Sequence, residues 1–225
     1  MPSVRFCVVL GIFCTLLLSA CGGGGGGQYF VAKEEPWRAT EERACLASGT
    51  VQESPFIKTK LSLGGPSVCG AEQPFELAAA DGGRISLRPA ALLRCPMIPQ
   101  VNRWVATVIE PAAQRVYGVP LAELKIAASY ACRPMNNVYG AHLSEHGHAN
   151  ALDVSAFILA DGRSISVKKG WRGDYRDRAF LHAVHDGACQ HFTTVLSPDY
   201  DANHHDHFHV DLARRGPDGL GTVCK

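Results

Sequence analysis

Seven of the ten histidines crowd into two short segments, Ala141-His-Leu-Ser-Glu-His-Gly-His148 and Asn203-His-His-Asp-His-Phe-His-Val210. Between them Asp153 stands alone in an apolar run, Ala151-Leu-Asp-Val154. Histidine and carboxylate side chains supplied by separate segments are what a zinc site needs. A fold that builds such a site has to bring these separate segments to one point. Two such clusters in one small domain argue against ordinary core or surface histidines.

Side-chain direction restricts how each segment contributes. On a strand, Phe208, Val210 and Leu212 face a core, while His205, His207, His209 and Asp211 face the other way. His207 and His209 then sit side by side, about 7 Å apart at the backbone. His146 and Asp153 are seven residues apart, which puts them on opposite faces of a continuous strand and on one face of a straight helix. Gly147 and Asn150 disfavour a long helix, so a loop entering a strand at Ala151 is the remaining way to join them.

Composition sets the class of molecule. With 225 residues, 46% hydrophobic and 19% charged, the chain suits one globular domain. A net charge of +1 and no basic stripe argue against nucleic acid as a partner.

The N-terminus reads as an export leader. Arg5 precedes a short apolar stretch, Cys7 to Leu18, too short for a convincing membrane span. Leu18-Ser-Ala-Cys21 resembles the lipobox of bacterial lipoproteins. That likeness implies a signal peptide over 1–20, cleavage before Cys21 and a lipid anchor on that cysteine. Gly22 in place of Asp implies the outer membrane. An ordinary signal peptide cut after Ala20 is the alternative. Residues 21–44, with their glycine run Gly22 to Gly27, read as a flexible tether ahead of a domain over 45–225.

Export gives the remaining cysteines a role. Cys45, Cys69, Cys95, Cys132, Cys189 and Cys224 form an even set, so three disulfides are expected. Taken in sequence order they pair as Cys45–Cys69, Cys95–Cys132 and Cys189–Cys224. No zinc-finger spacing is present among them.

Within the domain, Pro, Gly and Ser punctuate short strands over 45–90. Helical spacing runs from Ala91 to Tyr117, with Pro111 ending or kinking it. Strands are predicted over 124–130, 151–159, 193–196 and 208–212, with Asp161-Gly162 turning into a further strand over 164–167. Arg176 to Ala188 is a second helix. The expected class is α+β: a small, mostly antiparallel sheet with flanking helices, stabilised by disulfides.

His-x6-Asp followed by His-x-His resembles the superfamily of lysostaphin-type enzymes, D-Ala-D-Ala carboxypeptidases and hedgehog domains. Ser129-Tyr-Ala-Cys-Arg133, Ser144-Glu-His146, Asn150-Ala-Leu-Asp153, His185-Asp-Gly-Ala-Cys189 and His205-Asp-His-Phe-His209 look like the bacterial extensin-like C-terminal domain family. The resemblance implies Zn2+ held by His146, Asp153 and His209, with a fourth position open as in catalytic zinc sites. It implies His207 as acid/base, Arg133 as a catalytic grip on a carbonyl or carboxylate, and Ser144 as a further substrate contact. Ser144 and Arg133 are open to blander roles, shaping a loop and decorating a surface. His204 and His205 are candidates for orienting ligands, and Asp211 for accepting a histidine N–H. His182, His185 and His191 are read as packing or surface residues, and His142 and His148 as loop positions.

The expected activity is a zinc metallopeptidase of the D,D-carboxypeptidase or endopeptidase type, acting on peptidoglycan. It would be a monomer, lipid-anchored on the periplasmic side of a bacterial envelope. Two other classes compete: a non-catalytic, zinc-containing cell-wall-binding lipoprotein, and a periplasmic metal chaperone or sensor.

Overall fold

The structure is a computed structural model that describes residues 30–33, 35–63 and 68–225. The leader, Cys21 and the glycine run lie outside the described residues. No helix among the described residues is long and apolar enough to cross a membrane.

Helix α1 spans Pro36–Ser48, opened by Pro36 in its first turn and closed by Gly49 at φ 64°. It begins inside the stretch expected to be tether. Just before it, Phe30 is buried and Val31 pairs with the 141–143 segment. The folded unit therefore reaches upstream of Cys45.

Strands β1 (Ile57–Thr59), β2 (Phe75–Ala80) and β3 (Ile85–Leu93) form an antiparallel edge. Helix α2 (Met97–Trp104), a π-helical turn (Val105–Ile109) and α3 (Glu110–Tyr117) follow, then β4 (Leu121–Ala128). The helical signal expected from Ala91 thus starts at Met97, because Ala91–Leu93 complete β3. The π turn lies just ahead of Pro111, whose missing N–H and bulky ring a regular helix would not accommodate. Then come β5 (Ala151–Leu159), β6 (Ser164–Ser166), α4 (Val167–Gly170), α5 (Tyr175–Ala188), β7 (Thr194–Leu196), β8 (Phe208–Asp211) and β9 (Val223–Cys224).

All nine strands among the described residues join one sheet, ordered β1-β2-β3-β4-β5-β8-β7-β9, with β6 on β5. The class is α+β, as expected, but the sheet is mixed rather than mostly antiparallel. β3 runs parallel to β4 and β7 parallel to β9. Parallel neighbours need a long crossover, and α2 to α3 supply it between β3 and β4. The core holds Trp104, Phe157, Phe180 and Phe208; Phe157 meets Phe180 edge to face at 5.3 Å.

A bulge in β5 decides which side chains face the site. Lys125 pairs with Ala156 and Ile126 with Val154, so Ser155 is an extra residue. Leu152 and Val154 face the core before it, Phe157 and Leu159 after it. Asp153 consequently points to the opposite face.

Among the described residues three disulfides form, Cys45–Cys95, Cys69–Cys132 and Cys189–Cys224; the first two differ from the sequence-order pairing. Cys45 on α1 meets Cys95 at the entry to α2. Cys69 belongs to a loop that reaches the histidine segment, where Gly70 N–H donates to Gly147 O at 2.6 Å, and there it meets Cys132. For the first four cysteines, neighbours in sequence are not neighbours in space, whereas Cys189 and Cys224 pair in sequence order.

Candidate metal centre

Asp153 and His209 are directly opposed residues of antiparallel β5 and β8. Both point away from the core side held by Leu152, Val154, Phe208 and Val210. His146 comes from a 3-10 turn, Glu145–His148, capped by Ser144, whose hydroxyl accepts the His146 N–H at 3.4 Å. Ala149, left-handed at φ 50°, then swings the chain into β5. A turn followed by a strand thus unites His146 and Asp153.

The three donors form a small triangle. His146 Nε2 lies 3.1 Å from Asp153 Oδ2 and 3.2 Å from His209 Nδ1; His209 Nδ1 lies 2.9 Å from Asp153 Oδ1. Tetrahedral zinc with bonds of about 2.0–2.1 Å spaces its ligand atoms about 3.3 Å apart. The triangle fits that spacing.

Outer hydrogen bonds aim the rings. His146 Nδ1 donates to the Ser129 carbonyl at 2.5 Å, which leaves the Nε2 lone pair facing the triangle. His209 Nε2 donates to Asp211 Oδ2 at 3.0 Å, which aims Nδ1 the same way. Asp211 is thus the histidine acceptor considered from sequence.

The electrostatics favour a cation. Burial by itself would raise Asp153 and lower His209. It is outweighed: His146 and His209 hold the Asp153 carboxyl well below the usual carboxylate range. Asp153 and Asp211 lift His209 to about 10. The buried carboxylates thus already stabilise positive charge at this point, first as a proton.

A cleft of about 460 Å³ opens over the triangle; Arg133, Ser144, Tyr200, His204, His207 and Arg215 help to line it. His207 sits in the bend before β8 rather than on the strand. Its Nδ1 donates to Asp206 Oδ1 at 2.9 Å, and its Nε2 faces Asp153 Oδ2 at 3.7 Å. Arg133 is half-buried; its backbone carbonyl accepts from Ser144 N–H, and the one hydrogen bond of its guanidinium among the described residues goes to the Pro134 carbonyl, at 3.4 Å.

His204 and His205 separate sharply. His204 is buried, donates from Nδ1 to Asp201 Oδ1 at 2.7 Å and packs 5.3 Å from the His207 ring. His205 is exposed and bonds the Ala202 carbonyl. The available clue was Asp201, three residues before His204, which caps a short 3-10 turn. His142 is exposed at the cleft rim, while His148 is half-buried and driven down to about 3 by burial and then by Arg38 and Arg94.

The remaining histidines pack, as expected. His182 stacks on Trp171 at 3.9 Å, His185 packs on Phe208, and His191 bonds Thr107. His185 does approach Cys189 and Cys224, but those sulfurs are joined to each other.

A family model described as the extensin-like protein C-terminus matches residues 43–225. The chain belongs to this family. No curated protein and no solved structure matches it. In this extensin-like domain the match takes in every residue of the triangle, while α1 starts ahead of it and the cleft-lining residues Val31, Glu35 and Arg38 lie ahead of it.

Proposed function

We propose that this extensin-like protein is a zinc-dependent peptidoglycan hydrolase, cleaving peptide bonds at or between D-amino acids of stem peptides or cross-links. The observation that carries the reading is the three-donor triangle, open on one side to a cleft that holds a histidine–carboxylate pair and an arginine free of any carboxylate partner among the described residues. His146, Asp153 and His209 would hold the ion. Zinc there supplies Lewis acidity, polarising a carbonyl and making water a better nucleophile at neutral pH.

The protein supplies the rest. Arg133 grips a carbonyl or carboxylate of the substrate with its planar fork. Asp206 fixes the His207 tautomer, so Nε2 presents a lone pair to the cleft. His207 takes the proton from the attacking water and returns it to the departing amine nitrogen. Ser144 keeps the His146 turn in shape through its hydroxyl.

The Leu18-Ser-Ala-Cys21 segment, the glycine run and three disulfides support a lipid-anchored protein on the periplasmic side of the outer membrane, within reach of the wall. The test is muropeptide analysis of purified sacculi after incubation with the zinc-loaded protein. Shortened stem peptides or opened cross-links are expected, and His207→Ala should keep zinc yet release nothing. Full activity in His207→Ala would remove that residue from the mechanism. Sacculus binding without peptide release would favour a wall-binding role.

A further inference from the structure

We propose that Arg38 of α1 is a positioning residue for the metal centre, holding the His146 turn in place through Glu145. The working unit then begins upstream of residue 43, where the family match starts. The inference rests on the metal-binding reading of the triangle and is independent of hydrolysis.

Arg38 reaches across the molecule with its whole fork. Nη1 donates to Glu145 Oε2 at 2.7 Å and Nη2 to Glu145 Oε1 at 2.5 Å. Nε donates to Glu35 at 2.6 Å, and the guanidinium lies 4.3 Å from the centre of the Trp37 ring. The Arg38 and Glu145 side chains are only 12% and 16% exposed, so the pair is largely shielded from screening by water and salt. Two parallel bonds fix orientation as well as distance, which a lysine cannot do.

Glu145 is the residue before His146, and it brackets the ligand turn. Its carboxylate accepts from Asn150 Nδ2 at 2.6 Å, and its carbonyl accepts from Asn150 N–H at 3.0 Å. Arg38 therefore grips the closure of the loop that carries His146 and leads into Asp153. Val31 adds a second attachment beside it: its N–H donates to Ala141 O and its carbonyl accepts from Leu143 N–H. On the far side, Gly70 N–H and Ala131 N–H hold the same turn through Gly147 O and His146 O. Losing Arg38 removes the only cation bonded to the Glu145 carboxylate among the described residues and leaves that carboxylate held by Asn150 alone, while the backbone bonds from Val31, Arg94, Gly70 and Ala131 keep the segment in place.

α1 has attachments besides the Arg38 side chain. Cys45–Cys95 anchors the helix, and Arg94 donates to the Arg38 backbone carbonyl. Arg38 variants therefore separate positioning of the ligand from folding of the helix.

The test uses the full chain, with zinc affinity measured by chelator competition and ligand geometry by the visible spectrum of the Co2+-substituted protein. Arg38→Met is expected to bind zinc about 10-fold more weakly, the low end of what a direct hydrogen-bond partner of a metal ligand is worth because Arg38 acts through Glu145, and to shift the Co2+ bands. Arg38→Glu should do the same, and Arg38→Glu with Glu145→Arg should recover much of the loss by rebuilding the pair. If Arg38→Met fails to fold, Glu145→Gln takes its place with the same expectation. Zinc affinity within about twofold of the parent, with an unchanged Co2+ spectrum, overturns the proposal. A parent chain that binds no zinc overturns the metal-site reading itself, and this proposal with it.

Discussion

His209 stands between two buried carboxylates, Asp153 on its Nδ1 and Asp211 on its Nε2. One is placed as a ligand and the other as an aiming device, and variants distinguish them. His209→Ala should abolish stoichiometric zinc, read by elemental analysis of dialysed protein. Asp211→Ala should leave the ion bound but about 10–100-fold weaker in chelator competition, because the imidazole loses its fixed tautomer. His146, Asp153 and His209 were legible in sequence because His-x6-Asp and His-x-His carry their identity in residue type and order. The Ser129 carbonyl was not legible: a backbone acceptor leaves no mark in residue type. Nor was the choice of His204 over His205, which depends on a turn that buries one ring and exposes its neighbour.

At the scale of elements, α5 lies hard against the π turn. A Cβ built on Gly187 would fall 2.3 Å from Val108 Cγ1, and β-branched Val108 has few rotamers with which to yield. Gly187→Ala is therefore expected to destabilise by about 1–3 kcal/mol despite the better helix propensity of alanine, measured by urea unfolding. Tyr117 ties α3 to α5 by donating to Asp177 Oδ1 at 2.7 Å. Burial, then the bonded carboxylate, push its phenol above the ordinary range. A folded pKa above the unfolded value of about 10 means a contribution complete below that pH and lost as pH rises beyond it. Tyr117→Phe should cost about 1 kcal/mol at neutral pH and flatten the alkaline fall in stability. The helix over 176–188 and the hairpin at Asp161-Gly162 were readable from period and turn chemistry. The π turn was not, since Pro111 announced a disruption without saying which form it would take.

For the whole molecule, covalent links and the proposed ion act on the same equilibrium. Each disulfide closes a long loop, 35 to 63 residues apart in sequence, and is worth about 2–4 kcal/mol. A thiol reductant should lower the melting temperature of the metal-free chain. Zinc at about 100 times its dissociation constant should add about 2.7 kcal/mol to the oxidised chain and raise its melting temperature. No rise on adding zinc would count against the triangle as a metal site.

Local chemistry in the sequence determined the donor types, the alternation that turns His209 away from Phe208 and Val210, the even cysteine set and the α+β class. These follow from side-chain identity and from periods of a few residues, which any short segment displays. Only the tertiary structure decided the disulfide partners, the parallel strand pairs, the Ser155 bulge that turns Asp153 toward the site, and the grip of Arg38 on Glu145. Each of those joins residues far apart in the chain. Such pairings depend on how packed elements meet, and no short stretch of sequence records that.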